Sequence, residues 1–385
     1  MEQERTTSRG SHTGADPSSL LDGADPAPLY TPFSLSGVEL SNRFVMAPMT
    51  RYFSPGGVPG DDVAAYYARR AAHLGLIVTE GVYIDHPSAG TSDRVPRMHG
   101  EDALEGWRRT VAAVHGQGGR IFPQLWHVGA RRSAGAPPHP DAPVTSPSGI
   151  APDGSTVGEP ATTADLDAIV ASFARAAGDA RRVGFDGVEI HGAHGYLLDQ
   201  FLWSVTNRRS DVYGGSLRAR ARLAAEVVAA VRDAVGPGFP VVFRFSQWKS
   251  SDFGARLADT PAELGALLGV LVEAGASGFH VSTRRYWLPG FEGDRRTLAG
   301  WTKKLTGLPT IALGSVGVAA PYREDGTVAS SLSIAPLLEL FDRGEFDLVA
   351  LGRAVLSEPE WPAKLRERRL REIRPYEKSH ETELS

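Results

Sequence analysis

From Tyr30 onward the chain alternates short apolar runs with longer amphipathic stretches. The runs are RFVMAP (43–48), LGLIVTE (74–80), RIFPQLW (120–126), GVEIHG (187–192), PVVFRFS (240–246), GFHVSTR (278–284), PTIALGS (309–315) and DLVALGR (347–353). Each has the length of a buried strand and is rich in Val, Ile and Phe, which suits a strand covered on both faces. Helix-like stretches lie between most of them, at 59–73, 100–118, 162–184, 216–236 and 260–275. Thr162 with Asp165, and Thr260 with Glu263, predict N-caps carrying an acidic residue three positions on. Gly184 and Gly275 fall where helix C-caps belong.

Eight strand-like runs alternating with helices predict a parallel α/β architecture. An open doubly wound sheet would want a glycine-rich dinucleotide turn after an early strand, and none is present. Eight units with polar residues at the C-terminal ends of most strands favour a closed (β/α)8 TIM barrel. The reading is one domain over 29–385, with excursions at 127–160 and 284–308. Residues 1–28 are Ser-, Thr-, Gly-, Asp- and Pro-rich with almost no apolar periodicity, so they are expected to form a disordered leader. An arm packed on a partner subunit is the alternative.

Composition narrows the classes. The 385 residues are 42% hydrophobic and 22% charged, with a net charge of −4. Basic residues are interspersed with acidic ones, so no nucleic-acid stripe is expected. There is no cysteine, which excludes disulfides, thiolate-bound zinc or iron–sulfur centres and a cysteine nucleophile, and fits a reducing cytoplasm. No apolar run approaches the roughly 18 residues of a membrane span, and no secretory h-region precedes the first run.

The active site of such a barrel lies at the C-terminal mouth of its strands. There the seventh and eighth runs end in GSVG and LGR, glycine turns and an arginine that can approach a phosphate closely. The segment HGAHGYLLDQFL (191–202) puts His191, His194 and Tyr196 at one strand end. Three readings are open: a metal site with Glu80 and Asp199, a structural pair, or two imidazoles donating to a developing oxyanion beside a phenol that gives a proton.

Further motifs are LSNRFVMAPMTR (40–51), TEG (79–81), QLWHVG (124–129), TNRRSDVYGGSLRARARL (206–223), FRFS (243–246) and ALGRAVLSEP (350–359). With IHGAHGYLLDQFL (190–202) and GSVG (314–317), they resemble the Old Yellow Enzyme family of NAD(P)H:flavin oxidoreductases, over about 32–360. Thr50, rather than Cys, resembles the branch that includes the 12-oxophytodienoate reductases. The resemblance implies an FMN cofactor, contacted by Pro48, Met49, Thr50, Gly81, Gln124 and Arg244, with its phosphate held by Gly314, Ser315, Gly352 and Arg353. It implies NADPH or NADH as hydride donor and a small-molecule enone as substrate. His191 and His194 would hold the carbonyl oxygen and Tyr196 would donate the proton. Trp126 is a candidate substrate contact, the alternative being that it packs beneath the 127–160 loop, and Arg284, Arg285, Tyr286, Trp287 and Trp301 are expected either to touch a substrate or the nicotinamide phosphate or to belong to a solvated charged loop with aromatics packed beneath. LWSVTN (202–207) departs from the family pattern and is expected to alter the pocket mouth. His127 is expected either to line the pocket or to pack beneath the 127–160 loop. Self-association into a homo-oligomer is compatible with the family. The expected activity is reduction of the C=C bond of α,β-unsaturated carbonyl compounds. Desaturation or one dedicated biosynthetic substrate is the alternative on the same scaffold; a non-flavin lyase or isomerase using His191 and His194 is the alternative from another class.

Overall fold

The computed structural model describes residues 17–318 and 332–385. Two short strands, β1 (Phe33–Leu35) and β2 (Val38–Leu40), form an antiparallel hairpin. Eight parallel strands then close a barrel: β3 (Phe44–Met46), β4 (Leu76–Tyr83), β5 (Ile121–Trp126), β6 (Val188–His194), β7 (Val241–Lys249), β8 (Gly278–Ser282), β9 (Thr310–Leu313) and β10 (Leu348–Leu351), with β10 pairing β3. Helices α1 (Asp61–Ala71), α2 (Glu101–His115), α3 (Thr163–Val183), α4 (Leu197–Leu202), α5 (Leu217–Arg220), α6 (Arg222–Val235), α7 (Pro261–Glu273), α8 (Leu298–Thr306), α9 (Ala335–Asp342), α10 (Arg353–Ser357) and α11 (Trp361–Arg366) surround and follow it. All eight expected strands are present, in a (β/α)8 barrel. Among the described residues no helix is long and apolar enough to cross a membrane.

Strand periodicity divides the core in two. Val45, Leu76, Val78, Phe122, Val242, Ile311, Leu348 and Ala350 fill the barrel interior, and Leu35 and Leu40 of the hairpin join them. Alternate neighbours such as Phe44, Ile77, Ile121, Ile190, Phe243, Phe279 and Val349 pack against the helices. Further along the same inward parity the side chains become polar: Gln124 on β5, Glu189 and His191 on β6, Arg244 on β7 and His280 on β8. The interior is thus apolar at one end and polar toward the C-terminal mouth.

Both expected capping boxes form: Thr162 Oγ1 accepts from the Asp165 N–H, and Thr260 Oγ1 from the Glu263 N–H. Gly184 closes α3 in the left-handed region at φ 103°. The stretch 216–236 is not one helix, because it breaks at Ala221 into α5 and α6.

Two boundaries need correction. Within the expected disordered leader, Pro17–Leu20 forms a 3-10 turn, and Leu20 and Leu21 are buried. The Ile334 N–H donates to the Leu20 carbonyl at 2.8 Å. Two adjacent leucines in a polar stretch found an apolar seat, which outweighs the poor local composition; residues 1–16 lie outside the described residues. The 284–308 excursion contains α8, one of the barrel's own helices, capped by the Thr297 hydroxyl.

Candidate active site

The polar end of the barrel opens into a cavity of about 450 Å³, inside the roughly 300–1,000 Å³ range of small-molecule sites. Pro48, Met49, Thr50, Gly81, Gln124, Trp126, His191, His194, Tyr196, Arg244, Gly314, Ser315, Gly352 and Arg353 all line it. Residues far apart in sequence converge because each lies on a barrel strand, facing inward beyond the apolar layer, or just past a strand's C-terminal end.

The floor is an interlocked set of charges. His191, Arg244 and His280 are register neighbours across β6, β7 and β8. Glu189 accepts from Gln124 Nε2 at 2.7 Å and pairs with His280 Nδ1 at 2.7 Å. Burial works to raise the Glu189 carboxyl, but His280, Arg244 and Gln124 together hold it below its ordinary value. The Arg244 guanidinium is buried, and its Nε has no hydrogen-bond partner. Burial lowers its pKa, opposed by the Glu189 charge. With its nitrogen given to Glu189, Gln124 has its carbonyl oxygen left to offer to the cavity.

At the end of β6 the ladder with β7 is irregular between Gly192 and His194. His194 takes a positive φ of 64°, a conformation that histidine tolerates better than most residues. This irregularity, and Gly195 at φ 81°, turn the chain so that His191, His194 and Tyr196 meet. The two imidazole centroids are 5.3 Å apart and mutually perpendicular, and the Tyr196 ring lies 5.0 Å from His191. Trp126 stacks with His191 at 6.0 Å and meets Tyr196 edge to face at 4.8 Å. Burial, then the Arg244 charge, holds both histidines well below their ordinary pKa, so both are neutral near pH 7. The turn is held from beneath by a fully buried ion pair: Lys249 Nζ lies 2.8 Å from Asp199 Oδ1, while Asp199 Oδ2 accepts the Gly195 N–H at 2.6 Å.

Several expected contacts fall elsewhere. Tyr286 does not line the cavity. Its N–H donates to the Gly314 carbonyl at 3.2 Å and its ring is buried against Trp287, 4.9 Å away. The loop turns so that Arg284 and Arg285 face the cavity and Tyr286 enters the core. His127 packs beneath the 127–160 loop: its Nδ1 accepts the Gly129 N–H, and its Nε2 lies 3.2 Å from both His86 Nδ1 and Ser88 Oγ. The 202–207 segment, expected at the pocket mouth, closes α4 instead, where Asn207 Nδ2 donates to the Phe201 and Tyr213 carbonyls at 2.7 Å. Gly81, by contrast, does line the cavity, and the space left by its missing Cβ is filled by the Trp126 indole. Glu80 and Asp199 are committed to the Arg51 N–H and to Lys249. Among the described residues no group of three His, Cys, Asp or Glu side chains is arranged to hold a metal.

Trp248 and Glu381 line the cavity and were not among the residues singled out from the sequence. Trp248 lies 4.6 Å from the His194 ring and donates its indole N–H to the Ser282 carbonyl; β7 runs three residues further than its apolar run. Arg51 donates to the carbonyls of His380 and Glu383 at 3.2 and 2.5 Å, drawing the C-terminal segment over the mouth, where Glu381 joins the lining. No local pattern in 376–385 signals that packing.

A polar barrel mouth with a central buried arginine, a glycine-rich corner and a histidine pair beside a phenol fits the flavin-binding oxidoreductase barrel that the sequence motifs resemble. Comparison with known proteins agrees. The model of the NADH:flavin oxidoreductase / NADH oxidase family matches residues 28–372. The chain is 34% identical to rice (Oryza sativa subsp. japonica) 12-oxophytodienoate reductase 7 over 361 residues, 88% of each protein. Morphinone reductase, solved with tetrahydroNAD, superposes with a TM-score of 0.76 at 29% identity, covering 92% of this chain and 93% of that one. Old Yellow Enzyme from Pichia sp. AKU4542 superposes with a TM-score of 0.76 at 26% identity, covering 92% and 90%. The chain belongs to the Old Yellow Enzyme family and is an FMN-dependent NAD(P)H oxidoreductase.

Proposed function

We propose that this oxidoreductase reduces the C=C bond of α,β-unsaturated carbonyl compounds. The observation that carries the reading is the convergence of two neutral imidazoles and a phenol on one wall of the cavity. The Ala193 N–H donates to His191 Nδ1 at 3.3 Å, so the ring proton sits on Nε2. His194 Nε2 lies 2.8 Å from Ser282 Oγ; with the serine hydroxyl donating, the proton sits on Nδ1. Each ring then has one N–H to give to a substrate carbonyl oxygen, and both donate most strongly as that oxygen becomes an enolate. Neutral donors suit this role, since a cationic imidazole would itself lose a proton to the oxygen. Tyr196 supplies a proton to the α-carbon. FMN held in this cavity would supply the hydride chemistry at the β-carbon, with NAD(P)H as the source of electrons.

The residues present fit FMN. Arg244 has a buried N–H without a partner, and a cation there favours negative charge on a flavin pyrimidine edge. The free carbonyl oxygen of Gln124 suits the imide N–H of that edge. A Cβ at Gly352 would make only ordinary contact, with Met49 Sδ at 3.6 Å and Ala47 Cβ at 3.9 Å, and Gly314, Ser315, Gly352 and Arg353 border the same cavity, in the corner where a phosphate would lie. Pro48, Met49 and Thr50 would line the ring. That similar proteins bear the names 12-oxophytodienoate reductase and morphinone reductase supports a reductase of this kind. The test is anaerobic: NADPH or NADH should bleach the yellow protein, and 2-cyclohexenone should restore the colour with cyclohexanone as product. Restoration by oxygen alone, across a panel of enones, would refute the reading.

A further inference from the structure

Among the described residues, Arg285 is the cation with two buried nitrogens that lack a hydrogen-bond partner. It is 4% exposed, and it forms no ion pair with any described residue. Its Nη1 donates to Ser315 Oγ at 3.1 Å and to the Arg284 carbonyl at 3.0 Å, while Nε and Nη2 are buried without a partner. Buried charges and N–H donors in folded proteins are normally met by an acceptor. Two unmet donors on one guanidinium that lines a cavity therefore call for an anion.

The surrounding backbone says which anion. The loop after β8 is fastened to the turn after β9: the Thr283 N–H and hydroxyl both donate to the Leu313 carbonyl, at 2.9 and 2.7 Å, and Ser315 Oγ donates to the Arg284 carbonyl at 3.0 Å. A Cβ on Gly314 would sit 2.6 Å from Thr283 Oγ1 and the Tyr286 nitrogen. Arg285 is thereby held against the Gly314–Ser315 turn. It also borders a second cavity of about 330 Å³, where Arg256 and Arg284 stand among Trp248, Phe253, Trp287, Leu288 and Pro289; the hydrogen bond of Arg285 to Ser315 Oγ ties its guanidinium to the first cavity.

We infer that Arg285 is a second phosphate-binding arginine, which with Arg353 clamps the phosphate of FMN between the loops after β8, β9 and β10. The inference rests on the Gly314, Ser315, Gly352 and Arg353 assignment above. A monoanionic or dianionic phosphate in this corner accepts from the two free donors of Arg285 while Ser315 holds the third arm of the guanidinium in place. Arg285 thus sets the preference of the protein for FMN over riboflavin, which has the same ring and ribityl chain and lacks the phosphate.

The experiment strips the flavin from the full-length protein and titrates the apoprotein with FMN and with riboflavin, following quenching of flavin fluorescence. Arg285→Gln should weaken FMN binding about 10- to 100-fold, the scale of a lost charged hydrogen-bond pair, and leave riboflavin binding unchanged. Arg285→Lys should recover part of the FMN preference. Unchanged riboflavin affinity also certifies that the variant is folded. Equal weakening of both flavins, or intact FMN affinity with a raised KM for NADH, would overturn the inference. Arg353→Gln separates the two layers: if it abolishes the preference and Arg285→Gln does not, only this inference fails, whereas no effect from either variant removes the phosphate corner itself.

Discussion

Glu80 lies in the middle of β4, 1% exposed, with its carboxylate turned toward the loop that follows β3. One oxygen accepts the Arg51 N–H at 2.8 Å and the other has no partner. Burial raises its pKa from 4.5 to about 7, against the lowering by the Arg51 and Tyr52 amides and the Arg51 charge. Between pH 4.5 and 7 the folded chain keeps a proton that the unfolded chain has released. The stability contributed by this group is therefore full below pH 4.5, falls as pH rises to about 7, and is level above. At about 1.4 kcal/mol per pH unit, the gap is worth about 3 kcal/mol. Glu80→Gln keeps an oxygen for the two amides and removes the titration. Urea unfolding at pH 5 and pH 8 should show the wild-type protein losing about 2–3 kcal/mol more than the variant over that interval, since part of the loss has already occurred by pH 5. Asp199, also buried, is raised to about 6 and adds a slope of the same sign to both proteins, so it cancels in the comparison. Parallel losses in the two proteins would refute the argument, because the carboxylate would then be ionised in the fold at pH 5.

Tyr196→Phe should slow reoxidation of the reduced enzyme by an enone about 10²- to 10⁴-fold, the usual worth of a placed general acid, with the rate of bleaching by NADPH preserved in stopped flow; equal loss in both half-reactions would contradict the proton-donor role. His191→Ala and His194→Ala should each weaken binding of a para-substituted phenol about 10- to 100-fold, since its phenolate mimics the enolate; the long-wavelength absorbance of the complex reports the affinity, and an unaltered titration would remove the oxyanion role. Lys249→Met should cost about 3–5 kcal/mol by leaving Asp199 buried and alone. The Lys249→Met/Asp199→Leu double variant should regain most of that loss in urea unfolding; a double variant no better than the single would show that packing, not charge, holds the turn beneath His194.

The fold was largely legible because its signals are local. A strand buried on both faces must be apolar for several residues in succession, and all eight runs became barrel strands. The capping boxes at Thr162 and Thr260 and the left-handed Gly184 were readable because a helix end uses side chains within four positions. The failures share the opposite cause. Leu20 and Leu21 are too few to give a period, and their burial depends on a surface formed elsewhere in the chain. The sixth barrel helix was concealed within an expected loop, because LAGWTKKLT is short and its Thr297 cap has no acidic partner three residues on.

Much of the candidate site could be anticipated by asking which polar residues follow each strand, since the closure of a parallel barrel gathers those ends. Alternation along a strand separates His191 from Ile190, and Arg244 from Phe243, before any coordinates exist. Sequence alone therefore determined the barrel, its polar mouth and the membership of most of its lining. Only the tertiary structure decided which neighbour in a loop faces inward. It sent Arg285 to the cavity and Tyr286 to the core, buried His127 under the long loop, filled the space at Gly81 with an indole and brought the C-terminal segment over the mouth. Those choices depend on contacts between segments as much as 332 residues apart, where direction is set by packing and by partners for buried polar groups, neither of which any local pattern encodes.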